Sequence, residues 1–483
     1  MIKKNDVIKL NIDDMSLEGA GIGHADGMTI FVKDAVVGDE VEAIITKVKK
    51  SYCFATVKNV TKPSIYRVEP KCAIARQCGG CQIMQIDYTK QLEIKNNIVK
   101  NNLIKIGGFD KEQVENVMEP IMGMEEPFRY RNKAQVPIGY DKDGNLIAGF
   151  YGARSHRIVA TEDCKICSTL SMEIARAVIR YMEENGIRAY DETTGKGLIR
   201  HVLVREGKAT NQTMVCIVVN GDVIPKKEKL VEEILKTSDV TSIVININTR
   251  RDNVIMGYET KPIYGPDFIR DEITLSDKNT IAFDISANSF YQVNHDQMEK
   301  LYSKALEYAD LTGEENLWDL YCGIGTISLS MAKHAKNVYG VEVIPQAIEN
   351  AKNNARLNGL DNAKFFCGEA EVVLPDFYNG KDKELIEAEG YVYDGQSKSM
   401  NSPDVIVVDP PRKGCEESAL KTMLQMKPKR IVYVSCDSAT LARDLKYLVA
   451  GGYSLEKVTA VDQFGHTMHV ESVVQLKRVE DEA

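Results

Sequence analysis

Apolar and polar residues alternate with a period of two in four short runs near the start of the chain: Val7 to Ile12, Met28 to Val32, Glu40 to Val48 and Cys53 to Val60. Such runs turn one face of a strand inward and the other to water, and their spacing predicts a small β-barrel over residues 1–62. Behind a linker-like passage marked by Pro63 and Pro70, residues 88–105 change to a helical period that ends before Gly107-Gly108. From Phe128 to Phe283 the chain is β-rich, with strands expected at Val202–Val204, Thr213–Val219 and Ser242–Asn248, and residues 63–283 are assigned to a central domain.

From Asn294 the period itself alternates. Helices are expected at 294–309, 326–335, 345–358 and 416–426, and strands at 316–321, 337–341, 404–408 and 430–435. That order implies a parallel sheet with right-handed crossovers, so residues 284–483 are read as an α/β Rossmann-like domain. Met468 to Leu476 is expected to add an antiparallel edge. The polar, acidic stretch 377–403 lacks periodicity and reads as an exposed insertion without a catalytic role.

Composition narrows the class. No run approaches the roughly 18 apolar residues of a membrane span, and the opening Met1-Ile2-Lys3-Lys4 lacks the apolar core of a secretory signal, so a cytoplasmic location with no membrane partner is expected. Eleven cysteines are odd in number and too sparse for a disulfide scaffold; Cys72, Cys78 and Cys81 cluster as metal-holding thiolates do in a reduced compartment. The net charge of −9 weighs against nucleic acid only on average, because residues 44–76 carry eight Lys or Arg against Glu69 alone.

Candidate chemistry lies at the strand ends. The turn Asp319-Leu320-Tyr321-Cys322-Gly323-Ile324-Gly325 follows the first strand of the α/β region, and Glu342 closes the next, where a carboxylate can accept from both ribose hydroxyls. The third glycine of a dinucleotide fingerprint falls at Ser328, which favours S-adenosylmethionine over NAD. Asp409-Pro410-Pro411-Arg412 forms a rigid acidic turn. Cys436, ahead of a helix whose dipole would lower a thiol pKa, is the candidate nucleophile. Glu471, among Val470, Val473 and Val474, is the candidate base, with burial raising its pKa. For the metal, spacing alone pairs Cys78 with Cys81 and Cys164 with Cys167 as a zinc site and leaves Cys72 idle.

The blocks Asp319–Gly325, Asp409–Gly414, Ser435–Asp444 and His466–Glu471 occur in the order found in RNA uracil-5-methyltransferases, and the chain resembles that family over essentially its whole length. The resemblance implies that Cys436 adds to the base, Glu471 accepts its proton, and Gln292, Tyr321, Glu342 and Asp409 bind S-adenosylmethionine, with Phe290 close to base and cofactor. It also implies a 4Fe-4S cluster on Cys72, Cys78, Cys81 and Cys164, of structural or RNA-organising role. Residues 1–60 resemble the RNA-binding TRAM domain, with Lys47, Lys49, Lys50 and Lys58 as phosphate contacts, and Arg131 is expected near the target base. The expected substrate is 23S ribosomal RNA, and the protein is expected to be a monomer without an obligate protein partner. A transfer-RNA methyltransferase and a non-catalytic RNA-binding assembly factor are the alternatives. Ser438 and Gly465 stand where relatives usually carry proline, which touches loop geometry rather than chemistry.

Overall fold

A computed structural model describes residues 2–379 and 403–479. The insertion expected at 377–403 lies almost wholly outside the described residues.

The barrel runs through the strands Val7–Asn11, Asp14–Met15, Gly21–Ala25, Met28–Lys33, Glu40–Val48 and Tyr52–Lys62, in the spatial order first, fifth, sixth, fourth, third, second. Leu10, Ile30, Val32, Val41, Ala43, Ile45, Cys53 and Ala55 fill it. The strand Gly21–Ala25 escapes an apolar-pattern reading because glycine occupies its inward positions. A side chain at Gly21 would meet Ile12 at 2.7 Å, and one at Gly23 would meet the Asn11 carbonyl at 2.7 Å.

The central sheet has seven strands in the order Glu259–Tyr264, Ser242–Ile247, Thr213–Val219, Ile199–Glu206, Lys133–Tyr140, Leu146–Tyr151 and Ile158–Ala160. Only the pair 213–219 and 242–247 is parallel within it. The helix Thr169–Asn185, ended by Gly186 at φ 64°, buries Ile174, Val178 and Tyr181 against this sheet.

The third sheet orders its strands Ala363–Cys367, Asn337–Glu342, Asn316–Leu320, Val405–Val408, Arg430–Ser435, Glu471–Arg478 and Tyr453–Val461. The first five are parallel and the last two form an antiparallel hairpin. Successive strands leave Asn316–Leu320 in opposite directions, so the crossovers diverge at its carboxyl end and open a crevice there. Two of these strands were not anticipated: Ala363–Cys367 is only five residues long, and Tyr453–Val461 loses its alternation at an irregularity between Leu455 and Lys457.

Packing cuts across the chain order. The helix Tyr88–Asn102 continues as a π-turn, Leu103–Gly107, to Gly108 at φ 73°. Its Val99 and Leu103 join Trp318, Tyr433 and Leu441 in the core of the α/β unit. The ribbon Phe268–Thr274 and Thr280–Ser286 shares the opposite core with Met298, Tyr302 and Ile324. These contacts lock the central region and the α/β unit together, and the candidate site lies along their seam.

Candidate active site

At the end of strand Asn316–Leu320 the chain reverses sharply. Tyr321 takes φ 101°, a costly backbone for a non-glycine residue, and Gly323 and Gly325 follow at 55° and 84°. The amides of Tyr321 and Cys322 both donate to the Val341 carbonyl, at 2.9 and 3.0 Å, which ties the turn to the adjacent strand. Asp319, buried below it, accepts from the Ser328 hydroxyl at 2.6 Å through Oδ2, while its Oδ1 has no hydrogen-bond partner among the described residues. Burial pushes this carboxyl up to about 7. Sequence reasoning placed Asp319 in a motif but gave it no role; its position at the head of the glycine turn was the available signal. Glu342 ends the neighbouring strand half-buried and accepts from the Ile344 amide at 3.1 Å, beside the exposed side chains of Val343 and Ile344. An unpartnered buried acceptor, a glycine-opened backbone and a carboxylate beside uncovered apolar groups fit a nucleoside methyl donor.

Three further strand ends bring the reacting candidates together. Cys436 follows strand Arg430–Ser435, half-buried, and Asp437 caps the helix Ser438–Ala450 by accepting from the amides of Ala439 and Thr440 at 2.9 and 3.1 Å. The expected lowering of the thiol pKa does not occur: burial, then the charges of Glu471 and Asp409, push it up to about 11, and Arg412 opposes them. A helix amino terminus already capped by a carboxylate has little positive potential left to offer a neighbouring thiol. Glu471 opens strand Glu471–Arg478 at 3% exposure, its carboxyl pushed up to about 8 by burial and by Asp409. Asp409, after strand Val405–Val408, is itself raised to about 7 by burial and by Asp319. Tyr302, buried at 1% exposure, donates to the Thr326 hydroxyl at 3.2 Å and stands near enough to Asp409, Asp319 and Glu471 to feel their charges.

Exposed Arg412 is the cation that lowers both Cys436 and Glu471. Its turn is held from behind. The Thr440 hydroxyl donates to the Arg412 carbonyl at 3.1 Å, and the Arg443 guanidinium donates to the Lys413 carbonyl at 2.9 Å. Buried Asp444 accepts from the Cys415 amide and from the Tyr433 hydroxyl, at 2.9 and 2.7 Å.

Residues 208–479 match the family described as tRNA (Uracil-5-)-methyltransferase, and residues 3–58 match the TRAM domain. The chain belongs to the tRNA (uracil-5-)-methyltransferase family. Curated relatives named as uncharacterized RNA methyltransferases include one from Halalkalibacterium halodurans, 47% identical over 99% of this chain and 98% of its own. Another, from Bacillus cereus, is 45% identical over the same shares. Among solved structures, a Pyrococcus abyssi tRNA (uracil-54, C5)-methyltransferase in complex with S-adenosyl-L-homocysteine is similar over 97% of this chain and all of its own, with a TM-score of 0.74 and 28% identity. This chain is therefore an S-adenosylmethionine-dependent RNA methyltransferase with a TRAM domain.

In this family member Gln292 is buried, and its carbonyl accepts from the Asn132 side chain at 3.0 Å. Gln463 reaches it from the hairpin loop, donating to Gln292 Oε1 at 3.4 Å and to the Asn294 carbonyl at 3.2 Å. Phe290, two residues away, is 67% exposed.

The five cysteines of the metal question, Cys72, Cys78, Cys81, Cys164 and Cys167, all line one cavity of about 390 Å³. Arg129, at φ 55°, pairs with Asp163 and donates to the carbonyls of Cys164 and Cys167 at 2.6 and 2.9 Å, shaping that turn. The Gly80 amide donates to the Cys78 sulfur at 3.3 Å. Arg131, expected near the target base, lines this cavity, as do Val293 and Thr467. Among the described residues no three His, Cys, Asp or Glu side chains stand in ligating arrangement around one ion.

The segment after Cys81 grips the loop that leads to Glu471. The Ile83 amide donates to the His466 carbonyl at 3.1 Å, Gln91 Oε1 accepts from the His466 amide at 3.0 Å, and the Phe128 and His466 rings lie 4.4 Å apart. The Tyr130 hydroxyl donates to the Gly465 carbonyl at 3.1 Å. No sequence pattern marked these contacts, because each joins residues more than 330 positions apart.

Proposed function

We propose that this methyltransferase acts on carbon 5 of uridine in 23S ribosomal RNA, through a transient bond between Cys436 and carbon 6. What carries the reading is the convergence of Cys436, Glu471, Asp409 and Arg412 within mutual electrostatic reach at the carboxyl edge of the sheet. Carbon 5 of uracil is a weak nucleophile on its own. The Cys436 thiolate forms a bond to carbon 6, and the displaced π pair makes carbon 5 enolate-like. S-adenosylmethionine, when bound, supplies the electrophilic methyl group and a sulfonium charge. Once carbon 5 carries both methyl and hydrogen, Glu471 takes that proton; the electron pair restores the ring double bond and expels the Cys436 thiolate. With both groups raised in the free protein, the reactive ionisation states belong to the substrate complex, where cationic charge at the site offsets the carboxylates.

For the methyl donor we assign Tyr321, Gln292, Glu342 and Asp409, and add Asp319, whose free Oδ1 suits a donor group of the ligand. For the cysteine cavity we assign a 4Fe-4S cluster on Cys72, Cys78, Cys81 and Cys164. A cubane spreads its thiolates over a wide cage, whereas a single zinc ion draws them around one point, and the cavity of about 390 Å³ that these cysteines line has room for the cage. No chemical step is routed through it.

A second reading, transfer RNA as substrate, draws on the Pyrococcus enzyme, whose likeness spans the barrel as well. One experiment separates the two. Nucleoside mass mapping of ribosomal and transfer RNA from a deletion strain should show 5-methyluridine lost from 23S RNA alone, and loss from transfer RNA alone would replace the ribosomal assignment. Trapping with 5-fluorouridine RNA tests the mechanism, since fluorine at carbon 5 cannot be removed as a proton. Methylation persisting in Cys436→Ala would sink it.

A further inference from the structure

The barrel presents an aromatic platform on its outer face. Because Ile30, Val32, Cys53 and Ala55 point inward, Phe31, Tyr52 and Phe54 point outward from adjacent parallel strands. Register places Phe31 beside Phe54, with Tyr52 two residues before it on the same face. The three rings form a closed set: Phe31–Tyr52 and Phe31–Phe54 centroids are 5.8 Å apart, and Tyr52–Phe54 centroids 5.5 Å apart. Each ring is half-exposed, and among the described residues no ring or cation contact reaches them from outside the barrel. One cross-strand row reads Lys47, Phe54, Phe31, Ile22, and the next carries Tyr52, Thr29, His24.

Three aromatic rings are a costly thing to leave uncovered on a barrel whose inside is already filled. Their border decides what covers them. Residues 44–62 hold five lysines and no acid, and Lys47, Lys49 and Lys50 stand exposed at the strand end beside the rings. A flat aromatic surface edged by cations suits unpaired nucleotides, whose bases stack on rings while phosphates meet ammonium groups; duplex RNA hides its base faces and has no use for the rings.

We propose that Phe31, Tyr52 and Phe54 form a stacking platform for single-stranded nucleotides of the RNA substrate, with Lys47 as a flanking phosphate contact. The proposal rests on the RNA-acting reading but not on which RNA is methylated or how. Its test is therefore equilibrium binding of the full chain to a short unstructured oligoribonucleotide and to a duplex of equal length, by fluorescence anisotropy at several salt concentrations. Phe54→Leu and Phe31→Leu should each weaken single-strand binding about tenfold with the salt slope unchanged, and Phe54→Trp should retain it. Lys47→Ala should weaken binding and flatten the slope by about one phosphate contact. Leucine variants that bind as the wild type does, or that lose single-strand and duplex binding equally, overturn the platform. So does a loss that follows a fall in melting temperature. Weakened single-strand binding with S-adenosylmethionine affinity intact supports the platform whatever becomes of the catalytic reading, and unweakened binding overturns the platform while leaving that reading standing.

Discussion

The Lys95 ammonium meets the Asp462 carboxylate at 2.5 Å with both side chains wholly buried, joining the helix after the cysteine cavity to the hairpin loop before Glu471. The same ammonium donates to the Phe464 carbonyl at 3.0 Å, and the Tyr88 hydroxyl donates to the second oxygen of Asp462 at 2.7 Å. Val461 and Glu471 face each other in register at the mouth of that loop, so whatever fixes Asp462 fixes the candidate base. Breaking one partner of a buried pair strands the other charge, at a cost of about 3–5 kcal/mol. Lys95→Met should lose that stability in urea unfolding and slow methyl transfer. Lys95→Met with Asp462→Asn, which leaves no buried charge, should recover much of the stability; a double variant no better than the single would show that the pair is not what holds the loop.

Arg412 opposes the carboxylates that raise Cys436 and Glu471. Removing it in Arg412→Gln should raise both pKa values, so the pH at which thiolate and carboxylate coexist moves upward. A single-turnover pH–rate profile should shift to higher pH, with the deficit largest near neutrality and shrinking in alkali. An unmoved profile would mean that Arg412 acts elsewhere.

Glu471 also makes the fold pH-sensitive. Its folded pKa of about 8 lies above the ordinary 4.5, so its contribution to stability is greatest below about pH 4.5 and is lost as pH rises toward 8. Glu471→Gln cannot ionise there. Its melting temperature should exceed that of the wild type at pH 8.5, and the gap should close as pH falls toward 4.5. The same variant should accumulate the covalent RNA adduct on denaturing gels, since addition survives and elimination does not.

Gly414 closes the Arg412 turn at φ 77°, and a methyl group there would lie 2.5 Å from the Asp444 carboxylate and 2.6 Å from the Arg443 guanidinium. Gly414→Ala should destabilise the protein by about 1–3 kcal/mol in denaturant titration. Methylation should fall further than the folded fraction does, because Asp409 and Arg412 move with the turn.

Anaerobic reconstitution of the full chain should yield about four iron and four sulfide per protein with a broad visible absorption, as a cubane requires. Cys72→Ser and Cys164→Ser should abolish it and Cys167→Ser should not. A single bound zinc ion, with Cys72 dispensable, would favour the spacing argument instead.

The anticipated helices of the α/β unit differ from the observed ones by at most a few residues, since 3.6-residue periodicity is a local property. The glycine-lined strand Gly21–Ala25 and the interrupted strand Tyr453–Val461 were illegible because an inward glycine and a register irregularity erase the alternation that marks a strand. At the site, Cys436 and Glu471 stood out because an isolated polar group at the end of an apolar run is visible in one dimension. Tyr302 and Lys95 did not, because a polar residue inside a helical segment declares its burial only through its neighbours in space.

By itself the sequence determined the alternating α/β order, the barrel, the family blocks and which side chains are chemically able to act, all carried by local periodicity and residue type. The tertiary structure alone decided the direction in which the Cys436 pKa shifts, the gathering of five cysteines at one cavity, and the clamp of Lys95 on Asp462. Those depend on burial and on charges brought together across hundreds of residues, and an electrostatic field is set by distance in space, not by order along the chain.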